Sequence, residues 1–367
     1  MKVPQFRPWV GDAEHAAMAP CFETGWLGEG KFADEFRERL LALTGARFGV
    51  FAPSGSMALY LGLWALGVGP GDEVIVPDFT FVSSATSVTL RGAQPVFVDV
   101  NPRNFQLDLS DADRLVTERT KAIMPVHIYG TVADMDAVAA FASRHGLQVI
   151  EDAAQAINVR YHGRHAGTFG DIGCFSFFPD KTITTGEGGF AVTNDEVIYD
   201  RLVLLRNHGR RRSGSFVHEE LSFNLRITDM QAAMGLVQLS KLEEITRRKL
   251  AILQHYREGL EGTGVTFFQP DPGAEWLPFR VAVLHPEAQE LMAFLATKDI
   301  EPRTFFYPLH RQPAFAYMAD RHGGDEEFPN SVYGYEAGVS LPTYPTITDA
   351  QVDYVCESIR EFLASSG

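Results

Sequence analysis

The chain has 367 residues, 45% hydrophobic and 22% charged, the make-up of a globular protein large enough to divide into two lobes. A formal net charge of −15 argues against binding DNA, RNA or an anionic membrane surface; an anionic small substrate would need a local cationic pocket. Cys21, Cys174 and Cys356 are dispersed without CxxC spacing, which excludes a four-cysteine zinc or iron–sulfur site built from this chain alone and fits a reducing cytosol.

Along the chain, Met1–Pro8 carries two prolines and no apolar stretch, so it does not read as a signal peptide. No apolar run approaches the roughly 18–20 residues of a membrane span, and the expectation is a cytoplasmic protein. From about residue 45 to 195, short apolar runs alternate with helix-like stretches. Strands are predicted at Phe48–Ala52, Glu73–Pro77, Gln94–Val98, Ala122–Val126, Gln148–Glu151, Gly173–Phe178 and Gly189–Thr193, all rich in Val, Ile and Phe like strands buried on both faces. Helices are predicted at Met57–Leu66, Ser83–Arg91, Ser110–Val116 and Met135–His145. This alternation predicts an α/β fold with a mostly parallel seven-stranded sheet covered by helices. Thr228-Asp229, a cap-like pair, opens a long helical stretch towards Gly259. Beyond it strand signals thin out, and the chain ends in an amphipathic helix, Asp349–Leu363. The reading is a large domain over residues 1–240 and a smaller α+β domain over 241–367.

Four features fall at the ends of predicted strands, where open α/β sheets build their sites. Pro53-Ser54-Gly55-Ser56 opens a helix: it is a plain N-cap, or an anion site made of free N–H groups and two hydroxyls. In Glu151-Asp152, which closes a strand, alternation sends the two carboxylates to opposite sides. Asp152 is then either a helix cap or the partner of a protonated pyridine nitrogen such as that of pyridoxal phosphate (PLP), a ring that becomes an electron sink when protonated. Lys181 follows an aromatic strand and precedes Thr182-Ile183-Thr184-Thr185-Gly186-Glu187-Gly188-Gly189. It is a solvated loop lysine, or a desolvated one whose lowered pKa frees the amine as a nucleophile for a carbonyl. Phe223-Asn224-Leu225-Arg226 is a solvated loop or a phosphate or carboxylate contact. The run Arg210-Arg211-Arg212 is a solvated basic patch or a pyrophosphate contact.

In this order the segments resemble the DegT/DnrJ/EryC1/StrS family of PLP-dependent nucleotide-sugar aminotransferases. The likeness runs through Gly25-Trp26-Leu27-Gly28-Glu29-Gly30, Gly71-Asp72-Glu73-Val74-Ile75-Val76-Pro77, Pro125-Val126-His127-Ile128-Tyr129-Gly130, Glu151-Asp152-Ala153-Ala154-Gln155, Phe175-Ser176-Phe177-Phe178, Ile183–Gly189 and Tyr307-Pro308-Leu309-His310. It implies PLP fold type I, like aspartate aminotransferase. It also implies Lys181 as the Schiff-base lysine, Asp152 on the pyridine nitrogen, Gln155 near the phenolic oxygen and Phe81 on the ring face. Gly55, Ser56 and Ser176 would hold the phosphate, with Asn224 supplied by the second subunit of a homodimer with shared active sites. Trp26, Tyr307 and His310 would border the sugar nucleotide. Ser56 stands where Thr is common and keeps the hydroxyl. The dipeptide Pro179-Asp180 before Lys181 also departs from the family, and Asp180 is placed to bias substrate choice.

The activity implied is transfer of an amino group from glutamate to a nucleotide-linked keto-sugar, with pyridoxamine phosphate as the amine carrier between half-reactions and Lys181 as nucleophile and general acid/base. The likeness is greatest to the family's 4-aminotransferases, which makes GDP-4-keto-6-deoxymannose the leading substrate. The alternatives are a 3-aminotransferase, a sugar dehydratase and a regulatory, non-catalytic member. Lys181 argues against the dehydratase that carries histidine in its place, and the dispersed cysteines against the iron–sulfur type.

Overall fold

Buried, β-branched and aromatic runs form the large sheet. Its strands are β1 (Phe48–Ala52), β2 (Glu73–Pro77), β3 (Gln94–Val98), β4 (Thr120–Ile123), β5 (Gln148–Asp152), β6 (Ile172–Ser176) and β7 (Gly189–Thr193). The computed structural model describes residues 1–110, 112–211, 214 and 216–366. The spatial order is β1-β7-β6-β5-β4-β2-β3. β7 runs antiparallel to β1 and β6, and the other neighbours pair in parallel. Side-chain alternation feeds two cores. Phe51, Ile75, Ile123 and Phe175 join one, while Val50, Val74, Ile150 and Cys174 join the other.

Among the described residues, α1 (Asp12–Thr24), α2 (Lys31–Thr44), α3 (Gly55–Ala65), α4 (Ser83–Leu90), α5 (Met135–His145), α6 (Glu196–Leu205), α7 (Asp229–Ser240) and α8 (Leu242–Gly259) follow. α2 and α5 cover the first core; α3, α4 and α6 cover the second. The predicted helix Ser110–Val116 is instead a 3-10 turn, Ala112–Leu115. Asp108 Oδ1 accepts from Ser110 N at 2.9 Å and Thr120 Oγ1 from Thr117 N at 2.9 Å, so side chains take backbone donors at both ends. The long stretch after Thr228 is two helices that meet at Lys241. Thr228 caps α7 in a capping box with Gln231, whereas Asp229 reaches back to the start of α2, accepting from Gly30 N at 2.8 Å and Ala33 N at 3.0 Å.

The second lobe is a sheet of β8 (Thr266–Phe267), β9 (Val281–Leu284), β10 (Arg303–Thr304) and β11 (Gly338–Leu341), in order β8-β9-β11-β10 and antiparallel throughout. α8, α9 (Ala288–Thr297), α10 (Pro329–Ala337) and α11 (Asp349–Ser366) accompany it. Its core runs on into the large lobe through Phe79, Val126, Ile128 and Tyr129.

A three-bond seam joins the lobes. Leu277 N donates to Gly130 O at 3.0 Å and Phe279 N to Tyr129 O at 3.1 Å, and Trp276 Nε1 donates to Tyr129 O at 3.0 Å. Gly130 has φ +85°, and a Cβ there would fall 2.0 Å from Leu277 O. Gly130→Ala therefore meets both left-handed strain and a backbone clash. It is expected to cost about 3 kcal/mol, read as a lower urea midpoint.

Candidate active site

The site lies where β5 and β6 end and the second lobe closes over them. β5 delivers Asp152, which is 6% exposed. Ser84 Oγ, from α4, donates to its Oδ2 at 2.7 Å, and Ala154 N donates to Oδ1 at 3.2 Å. Burial pushes the carboxyl pKa up; the Ser84 and Ala154 hydrogen bonds and the nearby Lys181 offset that only partly. A buried carboxylate in this state favours a cationic partner.

The turn after β6 delivers Lys181, whose side chain is 14% exposed. Its Nζ lies 4.4 Å from the centroid of the Phe279 ring. Burial lowers its pKa, against the opposing charges of Asp180 and Asp152. A lowered pKa eases the loss of the proton that a nucleophilic amine must shed. Lys181 and Asp152, the two residues picked out of the sequence, lie near enough for each to act on the other's charge.

α3 points its N-terminus at the same region. Ser54 caps it, its hydroxyl accepting from Met57 N at 3.3 Å, and the first-turn N–H groups of Gly55 and Ser56 have no partner within the helix. Ser56 Oγ lies 2.6 Å from Ser83 Oγ. A Cβ on Gly55 would come within 2.7 Å of Ser176 Cβ, so Ser176, at the end of β6, abuts the same helix start. N–H groups, hydroxyls and a helix dipole together suit an anion. Phe81 stands at the head of α4 with its side chain 55% exposed, a flat apolar face beside this cluster. Gln155 is buried, and its Oε1 accepts from Tyr129 N at 2.7 Å, which holds Tyr129 at φ +54°.

Other predicted residues sit differently. Trp26 is 61% and Tyr307 38% exposed, with Trp26 Nε1 donating to Glu29 O at 3.3 Å. The His310 side chain is only 5% exposed. Its Nδ1 lies 2.7 Å from Asp78 Oδ2 and its Nε2 3.0 Å from Asp325 Oδ1, while its ring stacks on Phe328 at 4.5 Å. With both nitrogens engaged, His310 fastens its segment. Asn224 is exposed on a loop that also exposes Phe216, Leu221 and Phe223. Arg211 Nε pairs with Glu219 Oε2 at 2.7 Å, and Arg212 lies outside the described residues. No group of three or more potential metal ligands occurs among the described residues, and no helix there is long and apolar enough to cross a membrane.

Several residues at the site escaped the sequence reading. Ser84 was hidden in a run of small hydroxyl residues at the head of α4. Phe279 and Arg280 precede β9, whose four residues are all buried; a lone arginine abutting such a strand was the available signal. Lys249 on α8 is 2% exposed. It donates to Pro278 O at 3.0 Å, and burial pushes its pKa down to about 7.

The sequence matches the DegT/DnrJ/EryC1/StrS aminotransferase family over residues 9–360. The chain belongs to this family. It is 35% identical over 366 residues to the GDP-perosamine synthase of Vibrio cholerae, covering 98% of this chain and 99% of that one. It is 36% identical to the dTDP-3-amino-3,4,6-trideoxy-alpha-D-glucose transaminase of Streptomyces venezuelae, covering 95% and 91%. Among solved structures, a Streptococcus pneumoniae protein described as a sugar aminotransferase in its PLP form superposes with a TM-score of 0.93 at 26% identity, covering 100% of this chain and 99% of that one. The protein is a sugar aminotransferase, and the fold is that of its PLP-dependent structural neighbours.

The His310 pairings have a pH signature. Burial works to lower the imidazole pKa, but the hydrogen bonds and charges of Asp78 and Asp325 outweigh it and hold the value above the ordinary one. A raised folded-state pKa means that stability is fully present below the unfolded value of about 6.5 and is lost as pH rises through the folded value. The stability difference between wild type and His310→Gln, from urea melts at a series of pH values, should be largest at roughly pH 6 and shrink as pH climbs.

Proposed function

We propose that this enzyme uses PLP to move an amino group from glutamate to C4 of a nucleotide-linked 4-keto-6-deoxyhexose, with GDP-4-keto-6-deoxymannose as the leading substrate. The observation that carries the reading is the shared burial of a lysine, Lys181, and an aspartate, Asp152, beside a helix start and an exposed aromatic face. The donor set suits PLP. Asp152 provides the anion for a protonated ring nitrogen, and Phe81 a face for the ring. Gln155 would face the phenolic oxygen, and Gly55, Ser56 and Ser176 would supply donors for the phosphate. When bound, the cofactor provides the electron sink that makes a Cα–H bond acidic.

The chain's own groups supply the rest. Lys181 Nζ would hold the cofactor and, once free, would take up a proton and return it, and its lowered pKa eases both transfers. Ser84 keeps the Asp152 carboxylate aimed, and burial of the pair excludes water that would screen it. Trp26 and Tyr307 present exposed aromatic surface for the sugar nucleotide, and His310, tied to Asp78 and Asp325, holds the Tyr307–His310 segment in place. The C4 assignment draws on the likeness to GDP-perosamine synthase at 35% identity; the alternative, C3 amination, draws on the 36% identity to a transaminase named for a 3-amino sugar.

Purified protein with PLP, glutamate and a panel of nucleotide keto-sugars, followed by mass spectrometry, tests the reading. The expected product carries nitrogen at C4, and Lys181→Ala should lose both turnover and the visible absorption band of lysine-bound cofactor. Asp152→Asn should retain cofactor and lose on the order of 10²-fold in kcat. Amination of 3-keto sugars or cyclitols alone would overturn the C4 assignment.

A homodimer with shared sites is part of the proposal, Asn224 reaching the partner's phosphate cluster. The exposed Phe216, Leu221 and Phe223 on its loop support this, since apolar surface of that kind marks interfaces. In mixed dimers of Lys181→Ala and Asn224→Ala, one site carries both lesions and the other neither. Subunit exchange should therefore restore part of the activity; no recovery in proven heterodimers would place Asn224 in its own chain's site.

A further inference from the structure

Asp180 is only half engaged. Its side chain is 11% exposed, and Oδ2 accepts from Arg280 Nη2 at 2.8 Å. Oδ1 is buried and makes no hydrogen bond among the described residues, although Lys181 Nζ stands 3.8 Å away. A buried carboxylate oxygen without a donor is costly, and such an atom in a folded protein calls for an explanation.

Arg280 comes from the second lobe and is fixed there. Its side chain is 11% exposed, and Phe279, the residue before it, hangs from Tyr129 O. Gln5, with its amide turned so that the oxygen faces Arg280, accepts from Nη1 at 3.0 Å. Around Lys181 the charged groups are Asp180 on its own turn, Asp152 at the end of β5 and Arg280 from the second lobe. Lys249 on α8 adds a cation that feels Arg280, Asp180 and Lys181, and Arg7 lines the small cavity shared by Asp180, Lys181 and Lys249. With Asp152 committed to the ring nitrogen under the proposed function, Asp180 is the carboxylate left for the amine.

We propose that Asp180, gripped by Arg280 across the lobes, is the positioning residue for the Lys181 amine: its free Oδ1 receives the ammonium whenever Lys181 is not bonded to cofactor and holds it over the Phe279 ring. The proposal rests on the reading of Lys181 as the cofactor lysine. It assigns a role to Asp180 beside the cofactor lysine and to Arg280 as the group that keeps the carboxylate turned.

The test uses the opposite signs of the two charges. An anion beside the amine favours the ammonium, and a cation disfavours it. Asp180→Asn should lower the Lys181 pKa by roughly one unit or more, Arg280→Gln should raise it, and the double variant should fall between. In the full chain freed of PLP, the pKa is read from the pH dependence of Lys181 acylation by an amine-selective reagent, quantified by peptide mass spectrometry. In the holoenzyme, the pH at which the visible band titrates should move the same way, and Asp180→Glu should bring it back towards wild type.

Generic damage to the turn cannot produce shifts of opposite sign. Equal shifts in both single variants, or an unmoved Lys181 pKa in Asp180→Asn, would overturn the proposal. If Asp180→Asn does not fold, Arg280→Gln alone decides by the direction of its shift. A wild-type chain that shows no visible band with PLP would instead defeat the proposed function, while acylation of the cofactor-free chain would still report on the Asp180–Lys181 contact.

Discussion

A carboxylate with no exposed surface survives only if its oxygens are met by donors, and Glu151 is such a group. His127 Nε2 lies 2.8 Å from Oε2, Gly167 N donates to the same oxygen at 2.7 Å, and Gly170 N donates to Oε1 at 2.6 Å. Ala133 N donates to His127 Nδ1 at 3.3 Å, so the ring proton sits on Nε2, facing the carboxylate. This network ties β5 to the loop ahead of α5 and to the segment leading into β6. Alternation then carries the next residue, Asp152, to the other side, where Ser84 receives it. The aim of Asp152 is inherited from the bonding of Glu151.

The proposed site draws on both lobes. The large lobe supplies the parallel strand ends, the start of α3, Asp152 and Lys181, at the strand ends of an open α/β sheet. The second lobe supplies the ring under the Lys181 amine and the guanidinium on Asp180, while α8, which runs between the lobes, supplies the buried Lys249. Low exposure does much of the electrostatic tuning: the same residues in water would keep ordinary pKa values and screened charges.

The seven strands were legible because each holds apolar residues between polar or glycine-rich turns, although β4 spans Thr120–Ile123 rather than the apolar run Ala122–Val126. Asp152 stood out because it closes such a strand and Lys181 because it lies in the turn after one. Ser110–Val116 misled because local side-chain hydrogen bonds captured the backbone that helix periodicity had claimed. Asp229 looked like a local cap, but its carboxylate caps α2, almost two hundred residues away in sequence, and no local pattern encodes that pairing. Ser84 and Arg280 were missed for the same reason, as their roles exist only once distant segments meet. His310 was expected to border the sugar nucleotide, yet its ring is taken up by Asp78 and Asp325.

The seam at Tyr129 and Gly130 has a consequence for how proteins built this way can diverge. Phe279 is held by a main-chain bond to Tyr129, and the very next residue is the arginine that grips Asp180. Docking of the second lobe and the proton affinity of the amine are therefore mechanically linked. A lobe exchanged with that of a relative would bring along its own ring and its own charge opposite Asp180. In such a chimera, recombining the body of the protein would also retune its acid–base behaviour.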